Sequence, residues 1–386
     1  MRLGIDAWGL SGDLLYSGMG QYTSRLLRAL PAAAPDLHTV AYAGPDEPRP
    51  EWLPAEVAWR PVGRRLPGKL TALHSRLAAL QPAVTADRID VFHSPAVHMR
   101  PYFPPVPRLS CKQVATIHDL IPMTYYDLRT LPMRQQVFYR WNLRRALAAD
   151  TVLTVSDTSR REIASGLGLS VDRIRVIPNG IDFQPNSDRG PIERRGIDGP
   201  YVLYAGSYEP RKNFGGAVAA FAALVKQGFP HRLVAMVEPK SGHAAAALSE
   251  LDRWKLGDRV VLLHSLDEPE LRSVYTHADV LFFPSLAEGF GYPPLQAGAC
   301  GVAVVASNLA AVHEVMGDAA VYVDPLDVNG MTNALRDLLI DDDRRRRLCA
   351  LGIARASNFT MSASAAAHVD IYRALATRAE PIPAIA

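Results

Sequence analysis

A single acidic residue, Glu288, stands in a glycine-rich segment between an apolar run and a proline. The run from Val280 to Phe283 predicts a buried parallel strand, and Pro293 suits the first turn of a helix, where its missing N–H costs nothing. Glu288 is therefore expected in a strand-to-helix loop at the carboxyl edge of a sheet, where open α/β sheets bind ligands. The helix N-terminus would offer free N–H groups and positive potential to an anion. The segment predicts a nucleotide or phosphate site.

The segment from Pro284 to Ser307 resembles the signature of the retaining glycosyltransferases of family 4, GT-B enzymes that move a sugar from a nucleotide donor. In that family two glutamates eight residues apart flank a Gly-Phe-Gly turn and a proline; this chain has Glu288 at the first position and Gln296 at the second. The resemblance implies that Glu288 bonds hydroxyls of the donor sugar and that the second residue holds the nucleotide ribose. An amide both donates and accepts, so Gln296 suits a ribose, without the charge-assisted strength of a carboxylate.

Two adjacent cations, Arg211 and Lys212, follow another predicted strand and precede a helix. A nucleotide diphosphate leaving group gains negative charge as the glycosidic bond breaks, so fixed cations stabilise the transition state more than the ground state. The resemblance implies this role for Lys212, whereas Arg211 either supplies a second cation or pairs with Glu209. Many relatives carry an arginine where this chain has Ser207.

His118 ends an apolar run that begins at Val114, at the carboxyl edge of the first predicted sheet. A histidine in such a run is often a satisfied core residue. The block from His118 to Pro122, however, resembles a subgroup of family 4 that includes many mannosyltransferases. It implies that His118 hydrogen-bonds the donor sugar where it reacts. Asp119 is expected to cap the turn.

Two glycines, Gly18 and Gly20, stand in a polar loop after the first predicted strand, before a helix predicted from about Gln21 to Leu30. Glycine lets backbone N–H groups approach a diphosphate closely. The pattern alone is as typical of a simple turn, but its position matches the donor phosphate loop of the family. A nicotinamide dinucleotide fingerprint would need a third glycine at the position of Thr23.

The predicted site residues fall into two groups. The catalytic group is His118, Arg211, Lys212 and Glu288. The resemblance assigns donor binding to Gly18, Gly20, Leu266, Gly289, Phe290, Gly291 and Gln296.

No metal and no other cofactor is expected. The run Asp341-Asp342-Asp343 is of the Asp-x-Asp kind that metal-dependent glycosyltransferases use, but arginines follow directly at 344–347. Acids at a helix start with bases after them favour capping. His313 and Glu314 are likewise interpreted as structural.

Length and composition indicate a globular protein of two domains: 386 residues, of which 48% are hydrophobic and 21% charged. The three cysteines, Cys111, Cys300 and Cys349, are widely spaced, which disfavours a disulfide framework or a zinc site and suits a reducing cytoplasm. The charged start at Met1-Arg2 is unlike a signal peptide, and the chain contains no apolar run near the roughly 20 residues of a spanning helix. We expect a cytoplasmic protein.

Charge is unevenly distributed. Residues 1–150 hold 18 Lys+Arg against 12 Asp+Glu, a net +6, whereas the remainder holds 24 against 27, a net −3. A basic face beside aromatics docks on anionic lipid headgroups, so peripheral contact with the inner face of a membrane is one expectation and a solvated basic surface is the other. The candidate residues are Arg64, Arg65, Lys69, Arg140, Arg144 and Arg145, with Tyr102, Phe103, Tyr125, Tyr126 and Trp141 as wedges. Nucleic-acid binding is disfavoured because the sequence has no recognised module.

Apolar strands alternate with helical patterns along the whole chain, which indicates βαβ units and parallel sheets. A first series of strands is predicted near Leu3–Ala7, Thr39–Ala43, Val91–His93, Val114–His118, Thr151–Val155 and Arg175–Ile177. A second series is predicted near Tyr201–Ala205, Leu233–Val237, Val260–Leu263, Val280–Phe283, Ala303–Ala306 and Ala320–Val323.

The predicted fold is α/β and of the GT-B type: two doubly wound Rossmann-like domains facing each other across a cleft. Residues 1–183 form the acceptor-side domain and 184–361 the donor domain, with an aperiodic linker from Gln184 to Pro200. A C-terminal helix within about 362–386 is expected, from the resemblance alone, to cross back to the first domain.

The preferred function is a retaining, metal-independent hexosyltransferase of polysaccharide biosynthesis. The donor is a nucleotide sugar, with GDP-mannose first and a UDP-sugar close behind, and the acceptor is a glycan, a lipid-linked glycan or a small molecule. One alternative is a sugar-nucleotide epimerase or hydrolase on the same fold. The other is a non-catalytic binding protein, motivated by Gln296 and Ser207.

Overall fold

The structure, a computed structural model, describes residues 1–12, 15, 17–97, 103–126, 129, 131–237 and 244–377. The chain forms two compact units. The first comprises Met1–Gly180 and the segment from Met361 onward, and the second comprises Ile181–Thr360. Each unit holds one parallel sheet, of seven strands in the first and six in the second, within the described residues. The predicted class of two Rossmann-like α/β domains is confirmed.

The first unit alternates strands and helices. Its strands are β1 Arg2–Asp6, β2 His38–Ala43, β3 Ala58–Pro61, β4 Val91–Ser94, β5 Lys112–Thr116, β6 Thr151–Thr154 and β7 Ile174–Val176. Its helices in the described part of the chain are α1 Gly18–Ala33, α2 Leu70–His74, α3 Leu80–Ala86, α4 Ile121–Thr124, α5 Met133–Leu147 and α6 Asp157–Leu167, with a π-helical turn at Ser75–Ala79.

The second unit repeats the alternation. Its strands are β8 Tyr201–Ala205, β9 Arg232–Met236, β10 Val260–Leu263, β11 Val280–Phe283, β12 Ala303–Ser307 and β13 Ala320–Val323. Its described helices are α7 Gly190–Glu193, α8 Phe214–Lys226, α9 Ala244–Trp254, α10 Glu268–Thr276, α11 Tyr292–Ala299, α12 Ala310–Met316, α13 Val328–Ile340 and α14 Asp342–Ala356. The last helix of the chain, α15 Met361–Ala376, belongs to the first unit.

Both sheets reverse their strand order once. The first runs β3-β2-β1-β4-β5-β6-β7 and the second β10-β9-β8-β11-β12-β13, with parallel pairing throughout. The order therefore reverses between β1 and β4 in the first unit and between β8 and β11 in the second. Ligands of open α/β sheets bind outside the carboxyl ends of the strands at such a point.

The C-terminal helix is part of the core of the first unit. Ala365, Val369 and Tyr372 of α15 are at most 2% exposed and pack into the same hydrophobic cluster as Leu3 and Leu26. Burial of this apolar stripe explains why α15 lies with the first unit although the second unit precedes it in the chain.

One strand and the predicted linker differ from the sequence analysis. Strand β3 was not predicted, since it is mostly exposed and its Arg60 and Pro61 interrupt any apolar run. The stretch predicted as a linker is packed into the second unit: Ile192 and Ile197 are fully buried, and Arg195 pairs with Glu270 of α10 at 2.8 Å. Its two isoleucines are too few to show a period, yet both occupy the core.

None of the helices in the described ranges combines the length and the apolar character needed to cross a membrane.

Candidate functional site

Two loops of the second unit lie side by side at the reversal of its sheet. One follows β8 and spans residues 206–213, and the other follows β11 and spans 284–291. Strands β8 and β11 are entirely buried and pair directly, with Val202 opposite Val280 and Tyr204 opposite Phe282. Because parallel strands end at the same edge, the cations predicted on the first loop and the acid predicted on the second are brought together.

Glu288 is ion-paired with both predicted cations. Lys212 Nζ lies 2.5 Å from Glu288 Oε1, and Arg211 Nη1 lies 3.3 Å from Glu288 Oε2. The side chains of Glu288 and Lys212 are only 10% and 13% exposed. Burial alone would raise the pKa of Glu288, but the charges of Lys212 and Arg211 outweigh it and hold that pKa below its ordinary value. The three residues form a partly desolvated cluster with a net positive charge, here called the Lys-Glu-Arg cluster.

Arg211 also pairs with Glu209, which was one of the two expectations for this residue. Its Nε donates to Glu209 Oε2 at 2.8 Å, and its Nη1 donates to the Ala287 carbonyl oxygen at 3.3 Å. The guanidinium therefore connects the two loops and contacts two carboxylates. Arg211 is therefore both a cation of the cluster and the partner of Glu209.

The backbone under Lys212 is held by groups that the sequence analysis did not single out. The buried Tyr204 hydroxyl lies 3.0 Å from the Lys212 carbonyl oxygen and 3.2 Å from that of Ser207. Asn213 adopts a left-handed conformation with φ 55°, caps α8 by accepting from Gly216 N, and donates to the Pro325 carbonyl at 2.8 Å. The available signals were a tyrosine next to the end of an apolar strand and an asparagine before a helix.

The glycine-rich loop leads into α11 as predicted. Gly291 is the N-cap of this helix with φ 112°, a conformation that favours glycine. Phe290 is 5% exposed and packs against Phe359 with ring centroids 6.0 Å apart. Gln296 lies in α11 and is 7% exposed, and no hydrogen bond from its amide to any described residue is present. A buried amide of this kind has both donor and acceptor capacity to offer a ligand.

Helix α11 is fixed by close packing of two glycines. A Cβ on Gly298 would lie 3.0 Å from the Gly352 carbonyl oxygen of α14, so a larger residue would push the two helices apart by a few tenths of an ångström. The contact brings α11, which carries Gln296, close to α14.

Leu266 lies on a different loop from the residues of the Lys-Glu-Arg cluster. It is half-buried in the loop between β10 and α10. Strand β10 is at the edge of the sheet, and β9 separates it from β8. With neighbouring strands about 4.8 Å apart, the loop begins about 10 Å from that of Lys212. Leu266 thus lies at the same carboxyl edge, on a loop two strands away from the loop of Lys212.

In the first unit, His118 is the second residue after β5, and its loop contacts the loop after β4. The His118 Nε2 atom lies 2.9 Å from the Pro95 carbonyl oxygen. Because a carbonyl only accepts, Nε2 carries the proton, and in the neutral ring Nδ1 is left as an acceptor. Burial lowers the pKa of His118, which keeps the ring neutral. Asp119 Oδ1 accepts from Ile121 N at 3.0 Å, so Asp119 caps the turn as predicted.

Gly18 and Gly20 lie in the first turn of α1, not in a loop before it. Ser17 is the N-cap and its hydroxyl accepts from Gly20 N at 3.1 Å. A side chain at Gly18 would meet no described heavy atom within 4 Å. The helix thus starts three residues earlier than predicted, because the serine cap compensates for the low helix propensity of glycine.

A buried ion pair at the end of β1 was missed. Asp6 and Arg76 form a bidentate pair, with Nη1 to Oδ1 at 3.0 Å and Nη2 to Oδ2 at 2.6 Å, and their side chains are 7% and 4% exposed. Glu47 accepts from Gly9 N at 2.8 Å and so anchors the loop that follows β1. An aspartate that ends an apolar strand was the one signal in the sequence.

The predicted basic surface is present in part. Arg64, Arg65, Lys69, Arg140 and Arg144 are exposed, whereas Arg145 is half-buried with its Nε 3.5 Å from the Val106 carbonyl. Phe103 is not a wedge: it is 8% exposed and packs against Trp8 and Arg76, at 5.7 Å and 4.4 Å. Tyr125, Tyr126 and Trp141 are half-buried, and Tyr102 lies outside the described residues.

The aspartate run caps a helix. Asp341 is the N-cap of α14 and accepts from Arg344 N at 2.8 Å, while Asp342 and Asp343 pair with Arg345 and Arg346 one turn later. The capping interpretation is confirmed. Within the described ranges no group of three or more His, Cys, Asp or Glu residues is arranged to hold a metal ion.

Comparison with known proteins indicates the same family as the sequence motifs. Residues 16–185 match the family model described as Glycosyltransferase Family 4, and residues 192–352 match the one described as Glycosyl transferases group 1. The O-antigen chain mannosyltransferase B of Escherichia coli is 30% identical over 302 residues, covering 74% of each chain. The serotype-specific mannosyltransferase WbdA of Escherichia coli is 26% identical over 274 residues, which is 68% of this chain and 33% of WbdA, so the alignment spans about a third of that relative.

The fold matches as well. The crystal structure of Anabaena HepE in complex with UDP-glucose superposes with a TM-score of 0.72, covering 97% of this chain and 99% of that one at 16% sequence identity. The two sheets, the two family models and the mannosyltransferase relatives agree, and the chain belongs to glycosyltransferase family 4.

Proposed function

We propose that the protein transfers a hexose, mannose in the first instance, from a nucleotide-sugar donor to a glycan, lipid-linked or small-molecule acceptor. The observation that carries the proposal is the Lys-Glu-Arg cluster at the strand-order reversal of the second sheet. Two cations and one acid, all at most 21% exposed, stand where an α/β sheet binds a phosphate ligand.

The two cations have the position and the charge to stabilise a departing nucleotide diphosphate. As the glycosidic bond breaks, the diphosphate gains negative charge, and cations fixed in a partly desolvated site attract that charge more strongly in the transition state. In the resting cluster Glu288 shares Lys212 and Arg211. In the donor complex the phosphate oxygens take over these partners, which releases Glu288 to accept hydrogen bonds from hydroxyls of the sugar.

His118 and Gln296 supply the remaining polar contacts of the proposal. The neutral His118 ring has its Nε2 proton committed to Pro95, so Nδ1 accepts a hydrogen bond from a donor-sugar hydroxyl. The Gln296 amide binds the ribose diol of the nucleotide, donating through its nitrogen and accepting through its oxygen.

Transfer proceeds with retention of the anomeric configuration. The bond from C1 of the sugar to the diphosphate oxygen breaks, and the bond from C1 to the acceptor oxygen forms on the same face. The proton of the acceptor hydroxyl moves to an oxygen of the departing phosphate. This route needs no nucleophilic carboxylate: Glu288 binds sugar hydroxyls, and Glu209 remains the partner of Arg211.

No added metal is needed in this proposal. Lys212 and Arg211 provide positive charge at the diphosphate, which is the task a divalent cation performs in metal-dependent transferases. The donor is GDP-mannose by the His118 block and by the mannosyltransferase relatives, and a UDP-sugar is the alternative, because HepE was solved with UDP-glucose. The likeness to named mannosyltransferases favours transfer over epimerisation or hydrolysis of the donor.

Helix α5 supports peripheral contact with an anionic membrane. Its sequence contains no acidic residue, and Met133 and Val137 on its surface are 70% and 53% exposed beside the exposed Arg140 and Arg144. A stripe of apolar and basic groups on a helix suits anionic headgroups. Flotation with phosphatidylglycerol vesicles tests it: binding that weakens with salt and with Arg140→Glu/Arg144→Glu is expected, and no flotation at low salt contradicts it.

The experiment that tests the function is turnover with defined donors. The protein is incubated with GDP-mannose, UDP-glucose or UDP-galactose and a panel of glycan acceptors, with EDTA or with magnesium, and products are analysed by NMR. We expect one donor to be consumed only when an acceptor is present, with the α configuration of the donor kept and with EDTA without effect. Donor consumption without acceptor would indicate a hydrolase, and a β product would contradict retention.

A further inference from the structure

A continuous chain of buried hydrogen bonds joins the C-terminal helix to the strands and to α1 in the first unit. Its links are Tyr372 Oη to His93 Nδ1 at 2.7 Å, His93 Nε2 to Thr116 Oγ1 at 2.8 Å, Thr116 Oγ1 to Tyr22 Oη at 3.1 Å, Tyr22 Oη to His368 Nε2 at 2.7 Å, and His368 Nδ1 to the Ser364 carbonyl oxygen at 2.7 Å. These groups are here called the Tyr372–Ser364 chain, and every residue in it is at most 6% exposed.

The last link fixes the direction of every proton. The Ser364 carbonyl only accepts, so His368 Nδ1 carries the proton and Nε2 is an acceptor. Tyr22 must therefore donate to His368, which leaves the Tyr22 oxygen to accept from Thr116. Thr116 in turn accepts from His93 Nε2, so His93 Nδ1 is unprotonated and accepts from Tyr372. With both histidines neutral, each donor has one acceptor along the chain.

Tyr22 is the member that contacts His118. Its ring packs edge to face against His118, with ring centroids 4.8 Å apart and an interplanar angle of 89°. It also lies two residues after Gly20 in α1. The hydroxyl of Tyr22 is hydrogen-bonded to both Thr116 and His368. These two bonds fix the orientation of the Tyr22 ring and therefore the geometry of its contact with His118.

We infer that Tyr22 is a positioning residue for His118, held in place by the Tyr372–Ser364 chain. This inference rests on the proposed function insofar as His118 contacts the donor sugar. Pro95 fixes one ring nitrogen of His118, and Tyr22 fixes the plane of the ring. Together, the bond to Pro95 and the contact with Tyr22 fix the direction in which Nδ1 of His118 points. Helix α15 therefore supports His118 indirectly. Its His368 bonds Tyr22, and Tyr22 contacts His118.

The variant that isolates this role is Tyr22→Phe, which removes both hydroxyl links and retains the ring. Its matched control is Tyr42→Phe: Tyr42 is 2% exposed in the same unit and its hydroxyl donates to Asp87 at 2.8 Å. Tyr22→Phe should lower kcat at least fivefold and leave the Kd of the nucleotide within twofold of wild type. Tyr42→Phe should leave kcat unchanged even where it lowers Tm by the same amount. Equal kcat in the two variants would overturn the inference.

Two variants of His368 test the link to α15. His368→Ala removes the acceptor for Tyr22, whereas His368→Gln restores an acceptor oxygen near the position of Nε2. We expect His368→Ala to match Tyr22→Phe in kcat and His368→Gln to recover most of the loss. Tyr22→Phe/His368→Ala should be no slower than either single variant, because both variants break the same Tyr22–His368 bond. Additive losses, or no recovery with glutamine, would contradict the chain.

NMR of the imidazole nitrogens separates failure of this inference from failure of the proposed function. In wild type the His118 signals should show a neutral ring protonated at Nε2, and Tyr22→Phe should shift them while Tyr42→Phe does not. This readout needs no substrate. Unchanged His118 signals in Tyr22→Phe overturn the inference whatever the activity, whereas shifted signals in a protein that transfers no sugar from any donor would refute the proposed function alone.

Discussion

Lys212 Nζ and Glu288 Oε1 are 2.5 Å apart across the two loops that flank the strand-order reversal of the second sheet. The pair is almost dehydrated, and Arg211 makes a second contact with the same carboxylate at 3.3 Å. Glu288 thus neutralises part of the positive charge that a diphosphate would use. Binding of a donor requires exchange of partners, so each member of the cluster has a separable effect on binding and on transfer.

Lys212→Ala should lower kcat/KM by more than tenfold and leave Tm near the wild-type value. The loss is expected because Lys212 stabilises charge that develops on the leaving diphosphate, while Arg211 remains to pair with Glu288 and limits the structural cost. Steady-state kinetics and a melting curve check it. Lys226→Ala, on the exposed end of α8 in the same unit, is the control with unchanged kinetics. An unchanged rate in Lys212→Ala would remove this residue from the diphosphate.

Glu288→Gln should impair sugar transfer far more than nucleotide binding. The amide keeps the size of the side chain but no longer holds Lys212 and Arg211 electrostatically, so the bare nucleoside diphosphate should bind as well as in wild type or more tightly. Calorimetry with the diphosphate and turnover with the nucleotide sugar give the two quantities. An equal loss of both would place Glu288 on the nucleotide instead of the sugar.

Gln296→Glu should tighten donor binding. The carboxylate restores the second glutamate of the family signature, and a charge-assisted bond to a ribose hydroxyl is worth more than an amide bond, by about 1 kcal/mol or fivefold in Kd. Gln296→Ala should weaken binding of the same ligand. Calorimetric titration of the three proteins decides the matter, and the ribose role is lost if alanine and glutamate variants bind as wild type does.

Stability of the first unit should fall on mild acidification. Burial lowers the pKa of His368 to about 4 and that of His93 well below its ordinary value. The unfolded chain, with histidine pKa values of about 6.5, takes up protons between about pH 6.5 and 4 that the folded chain does not. The free energy of unfolding therefore decreases as pH falls through this window, by up to about 1.4 kcal/mol per pH unit for each histidine.

Urea unfolding at several pH values between 7.5 and 4.5 measures that slope. His368→Gln should flatten it, whereas His264→Gln, at an exposed position of the second unit, should not. A slope that His368→Gln leaves unchanged would show that His368 is not the buried neutral group described here.

Sequence reasoning reached the fold because its strands are apolar runs: Tyr201–Ala205 and Val280–Phe283 are predicted and observed with identical bounds. Strand β3 was not predicted, because its exposed Arg60 and Pro61 give no hydrophobic pattern. Sequence reasoning also took Gly18 and Gly20 for a loop, although the Ser17 cap was a signal for an earlier helix start.

The contacts of the site depend on strand order, which a single sequence does not contain. Lys212 and Glu288 are 76 residues apart, and His93 and Tyr372 are 279 residues apart. The sequence predicted a role for the acid and for the cations separately, because each follows a predicted strand. Their pairing can be inferred only once β8 and β11 are known to be neighbours. The Tyr372–Ser364 chain had no local signature at all.

The most direct test of the central claim is calorimetric titration of the wild-type protein and of Lys212→Ala with GDP, UDP, ADP and their sugar conjugates, each with magnesium and with EDTA. The account predicts that one nucleotide binds selectively and without metal, and that Lys212→Ala weakens this binding at least tenfold. Absence of binding by every nucleotide, or equal binding by the two proteins, would contradict a donor site at the Lys-Glu-Arg cluster.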